Sequence, residues 1–348
     1  MKKMFVLLCI AATLYACKNS KKIPDVSKVT VDLNIERFDR EFFALDTNNA
    51  KLDAGMQHLF QKYKAFAADY LYNIIGSEPM PDSVLKKAKQ ILIDYKKVAA
   101  DANNTFKDFN DVALQVKEGF QFIKYYFPAY KLPTTLVTYI GPWDAMFMLT
   151  NKSSGSSIMR DGDQMGIGLQ LFMGKDYSIY KEEGFRNIYP DYVSRRFSKN
   201  YIPVNCIKVI IDGMYPDQST GKPLIEQMVE AGKRLYLLDA FLPNTADTLK
   251  IGYTADQLKG CYENESNVWG LFVNNDLLYA TEPSLTKDYM NDGPNTAALG
   301  EKSPGLIGHF TGWQIVKKWM QKNEKKTLDE LMKTPAKQIF EEAKYKPS

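Results

Sequence analysis

TTLVTYI, residues 134–140, is the stretch that decides the fold. Its β-branched and aromatic side chains favour an extended strand, and residues 145–149 and 165–172 have the same character. Turn-forming residues separate these runs at 141–142, 152–157 and 160–163. The pattern predicts a small antiparallel or mixed sheet, formed by tightly connected strands, within residues 133–175.

The chain before this sheet, residues 29–130, is predicted to be helical. Apolar residues recur every three or four positions over 50–75, 82–103 and 109–127, which is typical of amphipathic helices. Pro81 followed by Asp82 is typical of a helix start. Residues 29–35 instead alternate between apolar and polar, which favours a short strand.

Helices are predicted again over residues 200–348. Pro223 precedes an apolar stripe, and two capping-box patterns, Thr254 with Gln257 and Thr327 with Glu330, mark further helix starts. No long linker rich in glycine, serine or proline interrupts the chain. We therefore expect residues 29–348 to form a single globular domain of α+β class, mostly helical.

The N-terminus has the features of a lipoprotein signal. Lys2 and Lys3 precede an apolar run over residues 5–14, and Leu-Tyr-Ala at 14–16 stands directly before Cys17. We expect residues 1–16 to be a signal peptide and Cys17 to carry lipid that anchors the protein to a membrane. Residues 17–28 would then form a tether. An ordinary secretory peptide is the alternative; a membrane-spanning helix is disfavoured because the run is shorter than the ~20 residues needed.

Charge and cysteine content add two expectations. The formal net charge is only +4 over 348 residues, which argues against a nucleic-acid partner because such proteins concentrate basic residues on one face. Cys206 and Cys261 are the cysteines left after Cys9 and Cys17. They make one disulfide possible, and two buried free thiols are the alternative.

Motifs for catalysis or metal binding are missing from the sequence. It contains no phosphate-binding loop, no dinucleotide fingerprint and no nucleophile elbow. The only histidines, His58 and His309, are too far apart for a zinc-binding HExxH motif. RDGDQ at 160–164 lacks the further oxygen ligands of a calcium loop, so we interpret it as a β-turn. We therefore predict no catalytic residue, no metal and no cofactor, and interpret His309 as a packing or capping residue.

An acidic cluster is the one candidate binding site in the sequence. On a helix beginning at Thr254, Glu265 and Trp269 would stand one turn apart, one turn beyond Cys261. Together with Glu263 these residues form a possible binding cluster, and the paired carboxylates could also act as a general acid and base. Exposed helix charges are the alternative.

Several stretches together resemble the GldB-type gliding-motility lipoproteins of Bacteroidetes. Their order and spacing, more than any one motif, carry the similarity. The stretches are IERFD at 35–39, FIKYYFP at 122–128, GIGL at 166–169, FMGKDY at 172–177, GYT at 252–254, NE at 264–265 with Trp269, GWQIV at 312–316 and YKP at 345–347.

The resemblance implies a lipoprotein associated with gliding machinery and implies no biochemical activity. Surface-exported lipoproteins of this group tend to carry acidic residues after the lipidated cysteine; residues 18–22 are basic or neutral, so a periplasm-facing protein is expected. The C-terminal half is also similar to zincin-type metallopeptidases, with EAG at 230–232 where such enzymes often carry a ligand glutamate. Since the histidine pair is missing, the implied scaffold has no metal and is degenerate.

Two functions follow as hypotheses. The first is a non-enzymatic accessory or binding component of an envelope machinery, whose partners would be other envelope proteins, a peptide or a glycan. The alternative is an envelope hydrolase of zincin-like ancestry that uses Glu263 and Glu265.

Overall fold

A mixed sheet lies at the centre of the structure, a computed structural model that describes residues 23–144 and 157–347. Within these residues the strand order is β1-β2-β4-β3; β1 and β4 run parallel to β2, and β3 runs antiparallel to β4. The predicted α+β class with a mixed sheet is confirmed, whereas the predicted strand at 145–149 lies outside the described residues. The strands are β1 (Asn34–Glu36), β2 (Thr135–Tyr139), β3 (Ile158–Asp161) and β4 (Gln164–Gly168).

Strand β2 is buried on both faces, which explains its almost continuous apolar sequence. Leu136 packs into the larger hydrophobic core, which most of the helices share. Val137 and Tyr139 point the other way, into a second core formed with the N-terminal helices. Successive residues of one strand therefore hold two cores together.

Two predicted strands are shorter than expected because their partner ends. Asn34 pairs with Thr135, the first residue of β2, so the alternating residues before Asn34 find no strand beside them. At the other end, Gly168 pairs with Tyr139, the last residue of β2. The chain then turns into a 3-10 helix at Leu169–Leu171, and the predicted strand over 165–172 stops at Gly168.

The N-terminal helices follow the predicted spacing, with three differences. The helix expected over 50–75 is kinked at Lys64, whose φ of 42° and ψ of −112° are not helical. The helix expected over 50–75 ends in a π-helical segment, Tyr70–Ile74. The helix expected over 82–103 is two helices, because Tyr95 leaves helical geometry at φ −103° and ψ 11°. The helices are α1 (Phe38–Phe43), α2 (Asn49–Asp69), α3 (Pro81–Asp94), α4 (Lys96–Thr105) and α5 (Asn110–Tyr126).

Both predicted capping boxes are confirmed in the second half of the chain. The backbone N–H of Gln257 donates to Thr254 Oγ1 at 3.1 Å, and that of Glu330 donates to Thr327 Oγ1 at 3.1 Å. The helices here are α6 (Glu183–Ile188), α7 (Asp191–Ser194), α8 (Tyr201–Met214), α9 (Leu224–Phe241), α10 (Asp247–Ile251), α11 (Ala255–Glu263), α12 (Glu265–Asn274), α13 (Pro283–Met290), α14 (Ile307–Lys322), α15 (Leu328–Lys333) and α16 (Ala336–Ala343).

Helices α9 and α14 cross at two glycines. A Cβ placed on Gly312 would lie 1.7 Å from the carbonyl oxygen of Met228, and one on Gly232 would lie 2.2 Å from the carbonyl oxygen of Gly312. Only glycine permits backbones to approach so closely. Among the described residues, no helix is both long and apolar enough to cross a membrane.

Candidate functional site

A cavity of about 500 Å³ opens between α8 and α9. Tyr201, Asn205, Lys208 and Asp212 line it from α8, at spacings that place them on one face of a helix. The opposite wall comes from α9, and the segments around residues 196, 217, 252, 291 and 309 close the remaining sides. The polar residues that line it are Ser157, Arg196, Tyr201, Asn205, Lys208, Asp212, Asp217, Ser219, Gln227, Arg234, Lys250, Asn291, Asp292 and His309.

Most of the charges in the cavity wall are paired with one another. Arg234 Nη1 donates to Asp212 Oδ1 at 2.8 Å, and its Nη2 donates to the carbonyl oxygen of Tyr215 at 2.6 Å. Arg196 forms an ion pair with Asp292. The first pair joins α8 to α9, and the second joins the segment after α7 to the segment after α13, so both hold the walls in place.

Lys208 is different. It lies partly buried in the cavity wall and makes no hydrogen bond or ion pair with any residue that the structure describes. Burial and then the nearby Arg196 charge lower the pKa of its ammonium group to about 8, against the opposing influence of Asp212 and Asp292. A positive charge in this position is available to a ligand.

His309 lines the same cavity from the first turn of α14. Its Nε2 lies 3.1 Å from the carbonyl oxygen of Met290. Because a carbonyl only accepts, Nε2 carries the proton and Nδ1 is left as an acceptor. Burial, and then the charge of Lys208, lower the pKa of the imidazole to about 4, so the ring is neutral at neutral pH.

The acidic cluster predicted from the sequence has a different geometry from the one expected. The helix beginning at Thr254 ends at Glu263, because Asn264 leaves helical geometry at φ −116° and ψ 22°. Glu265 and Trp269 lie together on the next helix, α12, whereas Cys261 remains on α11. The expectation of one continuous helix is therefore wrong.

Glu263 and Glu265 have different partners. Glu263 is exposed and pairs with Lys259 at 3.7 Å. Glu265 accepts a hydrogen bond of 2.5 Å from the hydroxyl of Tyr345, whose ring packs edge-on against Trp269 with centroids 5.1 Å apart. The contacts of Glu265 and Trp269 thus hold the C-terminal segment against α12.

The two cysteines of the domain are both buried and both free: Cys206 on α8 and Cys261 on α11. Burial raises the pKa of each thiol, since it disfavours the thiolate. Cys17 lies outside the described residues.

Two further motifs from the sequence have structural roles. RDGDQ at 160–164 is the β3–β4 turn, as predicted, with Gly162 at φ +55°. In the stretch similar to zincins, Glu230 pairs with Lys233 Nζ at 2.8 Å, and Ala231 lines the cavity. Within residues 23–144 and 157–347, no group of three or more histidine, cysteine, aspartate or glutamate side chains could hold a metal ion.

Sequence reasoning missed the cavity. Lys208 is the single charged residue between Ile202 and Ile211, a run that is otherwise apolar apart from Asn205. A lone cation in a helix this apolar was the available signal, since lysine is almost never fully buried without a partner.

Comparison with curated proteins finds no match, nor does comparison with solved structures, so the similarity to zincins stays a prediction. The family model of GldB lipoproteins, described as gliding motility protein GldB, matches residues 19–347. This match covers nearly the whole chain and includes every residue of the cavity. The chain therefore belongs to the family of the gliding motility protein GldB and is an envelope protein related to gliding motility.

Proposed function

We propose that this protein is a lipid-anchored, periplasm-facing accessory component of a gliding-related envelope machinery, and that it works by binding a ligand without transforming it. The observation that carries the proposal is the cavity between α8 and α9, in whose wall Lys208 has no ion pair with any residue that the structure describes. Its volume of about 500 Å³ falls within the range of small-molecule pockets, roughly 300–1,000 Å³.

The wall chemistry supports binding over catalysis. Arg196 and Arg234 each form an ion pair with an aspartate of the wall. Their charges are therefore already neutralised, and their role is to stabilise the wall. His309 donates a hydrogen bond to a backbone carbonyl, and since its pKa is lowered to about 4, the ring is neutral at neutral pH. A wall whose arginines are paired, around one cation that has no ion pair with a described residue, is a preorganised binding site.

The binding role is tested by filling the cavity in cells that lack their own copy of the gene. Ala231→Phe puts a large ring into the cavity from α9, and we expect it to fail to restore the envelope phenotype while the protein reaches normal abundance. Ala54→Phe, at an exposed position of α2, is the matched control and should restore it. Full restoration by Ala231→Phe would overturn the proposal.

The anchor is tested separately at Cys17. Cys17→Ser should give a soluble periplasmic protein that takes up no radiolabelled palmitate, because the thiol is the group that is acylated. If the variant is still labelled, Cys17 is not the site of lipidation. Two or three acyl chains are expected because a single chain gives only marginal membrane binding.

A further inference from the structure

We propose that the ligand of the cavity is a short peptide with a free carboxylate, and that Lys208 is the charge partner of that carboxylate. This rests on the proposed binding function and names its ligand class. Three features of the wall favour this ligand: one cation without an ion pair to a described residue, a largely apolar lining, and the free acceptor of His309.

Nearly all of the cations in the described cavity wall form ion pairs. Of the cations that line the cavity in the described part of the chain, Arg196 pairs with Asp292 and Arg234 with Asp212. Lys250 pairs with Asp239 at 2.9 Å and Asp247 at 3.1 Å. Lys208 alone among these cations has no ion pair with a described residue.

The charges of the wall limit the negative charge that a ligand can carry. A partly buried charge costs free energy unless a partner neutralises it. One ammonium group is matched by one carboxylate. A phosphate dianion would bring a second negative charge into a wall that already holds Asp212, Asp217 and Asp292, where no described cation is left to neutralise it. The balance therefore favours a monoanion.

The apolar lining of the cavity indicates the chemistry of the rest of the ligand, apart from its carboxylate. Much of the lining is apolar, and it includes Phe172, Ile211, Leu235, Leu238 and Leu306. A sugar acid would leave many hydroxyl groups against these side chains without hydrogen bonds. Apolar amino-acid side chains would be buried there favourably.

Peptide groups also fit the polar part of the wall. The amides of Asn205 and Gln227 line the cavity and both donate and accept. The Nδ1 atom of His309 is an acceptor, because Nε2 is committed to the carbonyl of Met290. A ligand N–H is the group that satisfies such an acceptor.

The test is equilibrium dialysis of the full chain in detergent against radiolabelled N-acetyl-Leu-Ala-Leu, once with a free carboxylate and once with a C-terminal amide. We expect the carboxylate form to bind about tenfold more tightly or better, since a hydrogen bond to a charged group contributes about 1.5–3 kcal/mol. Equal affinity of the two forms would overturn the proposal.

Variants of Lys208 assign the effect to this side chain. Lys208→Met keeps the length of the side chain and removes the charge; it should weaken the carboxylate form about tenfold and leave the amide form unchanged. Lys208→Arg keeps the charge and should retain the preference. Lys318→Met, at an exposed position of α14, is the control and should behave as the wild type. A Lys208→Met protein that is folded by circular dichroism and still prefers the carboxylate would refute the assignment.

Competitors distinguish the other ligand classes. If inorganic phosphate displaces the tripeptide at a lower concentration than acetate does, the monoanion is wrong; if galacturonate does so, the peptide body is wrong. Should neither tripeptide bind, the ligand class fails, whereas the binding function itself fails only if Ala231→Phe also restores the envelope phenotype.

Discussion

His309 should make the fold sensitive to mild acid, and the chain supplies its own control. The pKa of this imidazole falls from 6.5 to about 4 in the folded protein. Between these values the unfolded chain binds a proton that the folded protein does not bind. The free energy of unfolding therefore falls as the pH is lowered from 6.5 to 4. A shift of this size corresponds to about 3 kcal/mol.

The measurement is urea unfolding of the protein, purified without a histidine tag, at several pH values between 4 and 7.5. His309→Gln removes the titrating group, so the stability difference from wild type should change by about 3 kcal/mol over this window. Carboxylates titrate in both proteins and cancel in the difference. His58→Gln, at an exposed position of α2, should follow the wild type. A constant difference between wild type and His309→Gln would refute the burial of His309.

Proton NMR offers a direct check, because two histidines give two C2–H signals and His58→Gln identifies the one from His309. The same spectrum tests the cavity geometry. Lys208 is the second largest cause of the lowered pKa of His309. Lys208→Met should therefore raise the pKa of His309 measured by this signal. No change would mean that the two side chains do not share the cavity.

Two further predictions concern packing and the C-terminus. Gly312→Ala should reduce the free energy of unfolding by about 3 kcal/mol or more in urea, because its Cβ would meet the Met228 carbonyl at 1.7 Å; Gly260→Ala, with nothing within 4 Å, should gain about 0.5–1 kcal/mol instead. Equal effects would contradict the close crossing. Tyr345→Phe removes the hydrogen bond to Glu265 and should cost about 1 kcal/mol and make the last residues more susceptible to carboxypeptidase. Unchanged digestion would contradict the contact.

Local chemistry explains which elements could be predicted. The start of α11 is fixed by two side chains, Thr254 and Gln257, that satisfy backbone N–H groups within one turn. The sequence pattern does not predict the end of this helix at Glu263, although asparagine, here Asn264, is a residue type found at helix ends. Its neighbour Glu265 begins a new helix. The side chain of Glu265 is held by Tyr345, a contact from the far end of the chain that no local sequence pattern contains.

The lengths of the strands also could not be predicted from local sequence. Residues 29–35 alternate as a strand should, yet only the residues with a hydrogen-bonding partner on β2 become one. The sequence pattern reports which face of a residue is buried, whereas strand length depends on where the neighbouring strand ends. That neighbour is a hundred residues away, so no local window contains the information.

Lys208 shows what a sequence could still reveal about the site. On a helix as apolar as α8, a stripe of Tyr201, Asn205, Lys208 and Asp212 at helical spacing cannot face a sealed core, because unpaired polar groups are too costly there. Such a stripe must face either solvent or a second polar stripe. Helix α9 carries Gln227 and Arg234 at the matching spacing. Two facing polar stripes on otherwise apolar helices indicate an internal cavity. Lys208, which pairs with no described aspartate, marks where a ligand's negative charge belongs.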